Sequence, residues 1–253
     1  MQNKVLIVGA SGLVGTAAAL SFAREGWQVV AASRRHPELL GHANIDFVPM
    51  DLQDKNACVE ACANIPGITH LVYTAVFELP GLVDGWSDPL QISTNGQMLE
   101  NLLDAVTVSN RLQHVTLLQG TKAYGAMVRP MRVPARESQP RVEHPNFYWL
   151  QEDFLRAHAN IHDYAFTILR PQMIVGPNHG VVMNLPPVVG VYAELRQAEG
   201  LSFAFPGGVD RALEAVDVRL VGDSCLWAAT HQCAEGETYN LTNGEVFSWR
   251  DMW

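Results

Sequence analysis

Val5-Leu6-Ile7-Val8-Gly9-Ala10-Ser11-Gly12-Leu13-Val14-Gly15 decides the fold. A continuous apolar run that ends on glycine is the pattern of a strand buried on both faces. A helical pattern from about Leu13 to Glu25 follows it and is stopped by Gly26. Outward from this unit the same alternation continues. Strands are expected at 27–32, 45–49, 70–73, 114–118 and 166–169. Helices are expected at 56–64, 97–108 and 147–158, the 97–108 helix showing an apolar stripe of Met98, Leu99, Leu102, Leu103 and Val106. Strands alternating with helices at this spacing specify an α/β fold, a Rossmann-type doubly wound parallel sheet covered on both sides. Residues 126–145, rich in Pro and Arg and preceded by Gly125, read as a long loop. The division expected is 1–177 for the dinucleotide-binding part and 178–253 for a smaller substrate-side region, interleaved with the sheet.

Of the 253 residues, 48% are apolar and 17% charged, enough to build a core and too apolar for disorder. Lys and Arg total 17 against 26 Asp and Glu, a net charge of −9. That balance argues against binding to nucleic-acid phosphates and leaves small molecules as the expected partners. No signal-peptide pattern opens the sequence and no apolar run reaches the ~20 residues of a membrane span, so a soluble cytoplasmic protein is expected. Cys58, Cys62, Cys225 and Cys233 read as small buried thiols. His158 and His162 share a helical spacing without the Glu of a zinc protease and read as solvated residues. No metal site is expected.

Gly9, Gly12 and Gly15, with Ser11, Leu13 and Val14 among them, sit where a strand turns into a helix. Glycines there allow a tight turn and the close approach of a pyrophosphate, and the helix N-terminus offers amide donors and partial positive charge. The spacing, two residues between successive glycines, resembles that of the extended short-chain dehydrogenases/reductases. An NAD site usually places a carboxylate about 20 residues further on, to bond the ribose. Here that point reads Ser33-Arg34-Arg35. Two guanidiniums suit a 2′-phosphate, so NADPH is the expected cofactor. Asp51 and Leu52 are expected to flank the adenine, and Thr74 and Ala75 to join the cofactor site.

Short-chain dehydrogenases usually pair a Tyr with a Lys four residues later. Tyr148 is present, but the position four later is Glu152. A carboxylate beside a phenol raises its pKa and cannot replace an ammonium. The substitute lies in Gln119-Gly120-Thr121-Lys122-Ala123-Tyr124-Gly125, where Lys122 is expected to project from the carboxyl edge of the sheet. Together with Asn146-Phe147-Tyr148 and Glu152-Asp153, Asn95-Gly96, Met183-Asn184-Leu185 and the stretch from Asn240 to Trp249, this segment resembles the progesterone 5β-reductase/iridoid synthase-like group of atypical short-chain reductases. The resemblance covers essentially the whole chain. It implies NADPH-dependent 1,4-reduction of enones and enals, with Tyr148 and Lys122 catalytic, Gln119 and Tyr148 beside the cofactor, and Ile174 at the nicotinamide carboxamide.

Three departures stand out: Trp149 replaces the second Tyr of the Phe-Tyr-Tyr run, the 126–145 loop is Arg-rich, and such enzymes continue beyond the point matching Trp253 with a portion that encloses substrate. Phe77, Met183, Phe203 and Phe205 are candidate apolar substrate walls. A nucleotide-sugar epimerase or dehydratase on the same fold, and a non-catalytic NADP-sensing regulator, are the competing readings; a homodimer is the candidate assembly.

Overall fold

The apolar runs pair side by side in one sheet. The computed structural model describes residues 3–37, 44–81, 84–177 and 183–253. Its elements in chain order are β1 (Lys4–Val8), α1 (Leu13–Arg24), β2 (Gln28–Ser33), β3 (Ile45–Pro49), α2 (Lys55–Ala63), β4 (His70–Tyr73), α3 (Pro89–Ser109), β5 (His114–Leu118) and α4 (Phe147–His162). There follow β6 (Ala165–Pro171), β7 (Met173–Val175), α5 (Leu185–Ala198), β8 (Ala212–Asp217), α6 (Val218–Thr230), β9 (Thr238–Leu241) and β10 (Val246–Ser248). The main sheet has the order β3-β2-β1-β4-β5-β6-β9, with every neighbouring pair parallel. Strand order reverses between β1 and β4, which opens a crevice at their carboxyl ends.

Two apolar layers cover the sheet. Cys58, Cys62, Leu99, Leu102, Leu103 and Leu155 from α2, α3 and α4 pack on one face. Ala18, Ala19 and Phe22 of α1 and Cys225 of α6 pack on the other. Each fully buried aliphatic side chain contributes about 1.5–3 kcal/mol. Helices α1 and α6 meet so closely that a Cβ on Gly222 would lie 2.7 Å from the Ala17 carbonyl oxygen. Asp223 anchors the pair, accepting from Ser21 Oγ at 2.6 Å and from Arg24 Nη2 at 2.6 Å.

Four sequence expectations need correction. The 97–108 helix begins at Pro89, because Asp88 caps it by accepting from Leu90 N at 2.7 Å and proline suits the first helical position. The main sheet has a strand beyond those expected, β9 beside β6, supplied by the region after residue 182, which also pairs β8 and β10 with β7 in a small sheet. His158 is buried, its Nδ1 2.8 Å from the Tyr164 hydroxyl. Cys233 is exposed, unlike the other three cysteines, whose thiols burial pushes up to about 11 in Cys58 and about 12 in Cys62 and Cys225. The expected boundary at 177/178 abuts residues 178–182, which lie outside the described residues. No helix among the described residues is long and apolar enough to cross a membrane.

His70 and His114 open β4 and β5 at the amino edge, both buried, with ring centroids 6.4 Å apart. Burial lowers their pKa to about 4 and about 3, from 6.5. The folded chain therefore binds fewer protons than the unfolded chain between those values and pH 6.5. The stability this supplies is complete above pH 6.5 and is lost as the pH falls toward 4, at up to about 1.4 kcal/mol per pH unit for each histidine. Urea midpoints measured from pH 7.5 to 4.5 should fall steeply, and His114→Gln should flatten the slope.

Candidate active site

The glycine turn is built by contacts only glycine permits at two of its three positions. Gly9 has φ of +84°, and a Cβ there would lie 2.7 Å from Thr74 Oγ1 and 2.8 Å from Ala75 N. A Cβ on Gly15 would collide with the Gly9 carbonyl. Gly12 differs: within 4 Å its Cβ would meet only the Gly9 oxygen, at 3.2 Å, and the residue lines the crevice. Gly9 and Gly15 serve the packing of the chain, whereas Gly12 leaves space in front of α1. Gly12 is also the N-cap of α1 and no side chain caps that helix, so its first-turn amides can face an anion.

The crevice is a groove of about 210 Å³ lined by Gly9, Ser11, Gly12, Ser33, Arg34, Arg35, Asp51, Leu52, Thr74 and Ala75 from the expected cofactor set. Met50, Gln53, Val76, Phe77 and Met98 line it as well. Phe77, expected as a substrate wall, thus borders the groove. Ser33 Oγ donates to the Arg35 carbonyl at 2.6 Å and folds the chain back at the end of β2. Arg34 and Arg35 are exposed and have no ion-pair partner among the described residues. An open anion cradle at one place and two free guanidiniums at another fit a phosphorylated dinucleotide. Leu13, Val14, Gly15, Gln119, Tyr148 and Ile174 do not line this groove. Leu13 and Gly15 are buried in the turn behind it, and Ile174 lies in β7, paired with Val216 of β8.

Lys122 and Tyr148 come together through Asn146 and Trp86. Lys122 sits in a short 3₁₀ turn, Thr121–Tyr124, past the end of β5. The buried Asn146 donates from Nδ2 to the Lys122 carbonyl at 3.0 Å and accepts from Tyr148 N at 3.0 Å. One side chain thus caps α4 and ties it to the lysine turn. Lys122 Nζ lies 3.3 Å from the centroid of the Trp86 ring, and the same ring meets Tyr148 edge-on, centroids 5.5 Å apart. Burial lowers the Lys122 pKa to about 8, with the Glu78 carboxylate opposing it. Tyr148 is raised well above the usual phenol value, by burial first and Glu78 second, with Arg170 pulling the other way. Its hydroxyl has no hydrogen-bond partner among the described residues and faces Gly120, 3.5 Å from where a Cβ on that glycine would stand.

Glu152 occupies the position of the usual dyad lysine, and its role is structural. Its carboxylate meets Arg170 Nη2 at 3.1 Å, Arg141 Nη2 at 3.2 Å and Arg156 Nη2 at 3.0 Å. Burial pushes the carboxyl up, but the three guanidiniums outweigh it and hold it below the ordinary carboxylate range. Gln119 belongs to this network, accepting from Arg170 Nε at 2.9 Å and donating to the Tyr148 carbonyl at 3.1 Å. The expected effect of Glu152 on the phenol is corrected accordingly: the carboxylate that acts on Tyr148 is Glu78. Glu78 and Trp86, both in the connection between β4 and α3, escaped the sequence reading. Of the remaining expected walls, Met183 is exposed, Phe203 packs with Tyr192 and Trp253, and Phe205 lies under Arg250. Among the described residues no group of three or more His, Cys, Asp or Glu could hold a metal ion.

The sequence profile of the NAD dependent epimerase/dehydratase family matches residues 5–242. The (S)-8-oxocitronellyl enol synthase of Catharanthus roseus is 29% identical over the whole chain, which spans 66% of that relative. The 3-oxo-Delta(4,5)-steroid 5-beta-reductase of Arabidopsis thaliana is 30% identical, again over the whole chain and 68% of the relative. Among solved structures, the epimerase Mth375 of Methanothermobacter thermautotrophicus superposes with a TM-score of 0.80 at 17% identity, over 98% of this chain and 74% of that one. The chain therefore spans about two thirds of the length of the curated relatives it matches.

Proposed function

We propose that this chain, which belongs to the NAD dependent epimerase/dehydratase family, is an NADPH-dependent reductase of activated C=C bonds in enones and enals. The observation that carries this reading is the convergence of Lys122 and Tyr148 on one Trp86 ring, although Lys122 is not on the helix that bears the phenol. The relatives agree in chemistry. A 3-oxo-Delta(4,5)-steroid is a conjugated ketone, and an enol is the product form when hydride adds to the β-carbon and oxygen takes the proton.

A bound NADPH would supply the hydride to the β-carbon of the substrate. The electron pair of the C=C bond then moves toward the carbonyl oxygen, which becomes an enolate. Tyr148, kept protonated by its raised pKa, donates a hydrogen bond to that oxygen. Lys122 sets positive charge nearby, in a pocket where burial strengthens its field. Gly12, the first turn of α1 and the Arg34–Arg35 pair hold the dinucleotide, with Ser11, Ser33, Asp51, Leu52, Thr74 and Ala75 along its length. In this reading residues 1–177 bind the cofactor and 178–253 form the substrate side.

The family also includes epimerases, which makes a nucleotide-sugar epimerase the second reading. It would need the lysine that Glu152 replaces. NADPH oxidation followed at 340 nm with cyclic enones, linear enals and UDP-sugars separates the two: consumption with an enone is expected, and sugar interconversion without enone turnover would replace the reductase with an epimerase. Arg34→Ser with Arg35→Ser should weaken NADPH binding about 10–100-fold, the loss of one or two charge-assisted hydrogen bonds, and leave NADH binding nearly unchanged. Fluorescence titration with both cofactors checks this.

A further inference from the structure

Glu78 lies in the segment that runs from the end of β4 toward α3. Two side chains of α3 fix that segment by its backbone. Asn95 accepts from Phe77 N at 2.8 Å and donates to the Phe77 carbonyl at 2.8 Å. Gln91 accepts from Leu79 N at 2.8 Å. Both helix residues are buried. The backbone on either side of Glu78 is therefore held, so its side chain is displayed from a fixed mount. One carboxylate oxygen, Oε1, is buried without a hydrogen-bond partner among the described residues. Leaving such an acceptor unpaired is costly, by about 1–3 kcal/mol or more for a charged group, so its retention calls for an explanation. The charge of Glu78 reaches both members of the proposed pair, Lys122 and Tyr148.

Lys122 needs such a partner. No carboxylate lies within 4.0 Å of its Nζ among the described residues. Its ammonium rests on the Trp86 face in a buried setting that favours the neutral amine. The charged or titratable groups acting on the pair are Glu78 from the β4–α3 connection, Tyr148 from α4 and Arg170 from β6, whose own charge is met by Glu152.

We propose that Glu78 is a positioning residue for the Lys122–Tyr148 pair: its carboxylate keeps the Lys122 amine protonated and seated on Trp86. The proposal rests on the reductase reading for its catalytic meaning, but the protonation of Lys122 can be read without turnover.

The sequence contains three lysines, Lys4, Lys55 and Lys122, and both Lys4 and Lys55 sit in exposed pairings. In protein labelled with ¹³Cε-lysine and free of cofactor, NMR should resolve one lysine titrating near pH 8, absent in Lys122→Arg. In Glu78→Gln that midpoint should fall by about one pH unit, the effect of removing one nearby opposite charge. Glu78→Asp should restore most of it, and serves as the folded control. For turnover, the alkaline limb of kcat/KM should move down in Glu78→Gln by the same amount, a loss of about fivefold at pH 8 and much less at pH 6. A Lys122 midpoint in Glu78→Gln that coincides with the parent overturns the proposal, as does a loss of turnover equal at both pH values. If the parent reduces no enone while the midpoint still shifts, the reductase reading fails and the Glu78–Lys122 coupling stands.

Discussion

Tyr148→Phe is expected to reduce kcat for enone reduction about 10²–10³-fold, the usual consequence of removing one donor aimed at a developing oxyanion. NADPH affinity should be kept, because the phenol does not line the dinucleotide groove. The ring itself should stay in place. It packs edge-on against Phe147 and Trp86, at 4.7 and 5.5 Å between centroids, and phenylalanine preserves both contacts. The phenol titrates far above neutrality, so it remains a donor through the working range, and the alkaline limb of the pH–rate profile belongs to Lys122 near pH 8. Steady-state kinetics beside a cofactor titration would check this, and parent-level turnover in the variant would remove Tyr148 from the mechanism.

Glu152→Lys writes the usual dyad spacing back into α4, yet it should damage the protein. The carboxylate it removes is 8% exposed and meets three guanidiniums. The replacement adds a fourth cation to the same place. Removing one partner of a buried ion pair costs about 3–5 kcal/mol, which for a chain of this size lowers Tm by roughly 10 °C. The network also reaches Gln119 and, through it, the Tyr148 backbone, so what activity remains should fall rather than rise. Thermal melts with enone assays test both halves. A variant as stable as the parent and more active would show that the arginine network does not hold the site.

The sheet was largely legible because short apolar-rich segments alternate with helical patterns: 45–49, 70–73 and 114–118 match β3, β4 and β5 residue for residue, although Asp46 interrupts the first and β3 is an edge strand with no buried residue. β9 was not, since Thr238-Tyr239-Asn240-Leu241 is polar at alternate places and only half-buried at the sheet edge. The start of α3 was hidden because Pro89 and Gln91 interrupt the stripe, and only the Asp88 cap marks the true beginning. His158 reads as solvated by its helical spacing, but the chain returns after α4 and lays Tyr164 over it, a contact that no periodicity encodes. At the site, Lys122 and Tyr148 were recoverable from motif residues. Glu78 and Trp86 were not, for they stand in an irregular connection and reach the site only by tertiary approach. The Arg34–Arg35 pair was legible because the fold fixes what the end of β2 faces. The meaning of Glu152 was not, as its three arginine partners come from a loop, its own helix and β6.

Asn95 and Gln91 grip only main-chain atoms of Phe77 and Leu79. The backbone of the crevice rim is therefore held independently of the exposed Val76 side chain, while Phe77 also packs against the core. A lineage could exchange Val76, which lines the groove, and alter ligand preference while the scaffold beneath stays the same. Diversification at Val76 costs little in folding terms, and libraries randomised there should yield soluble variants far more often than libraries randomised at Gln91 and Asn95, the buried residues that hold the rim.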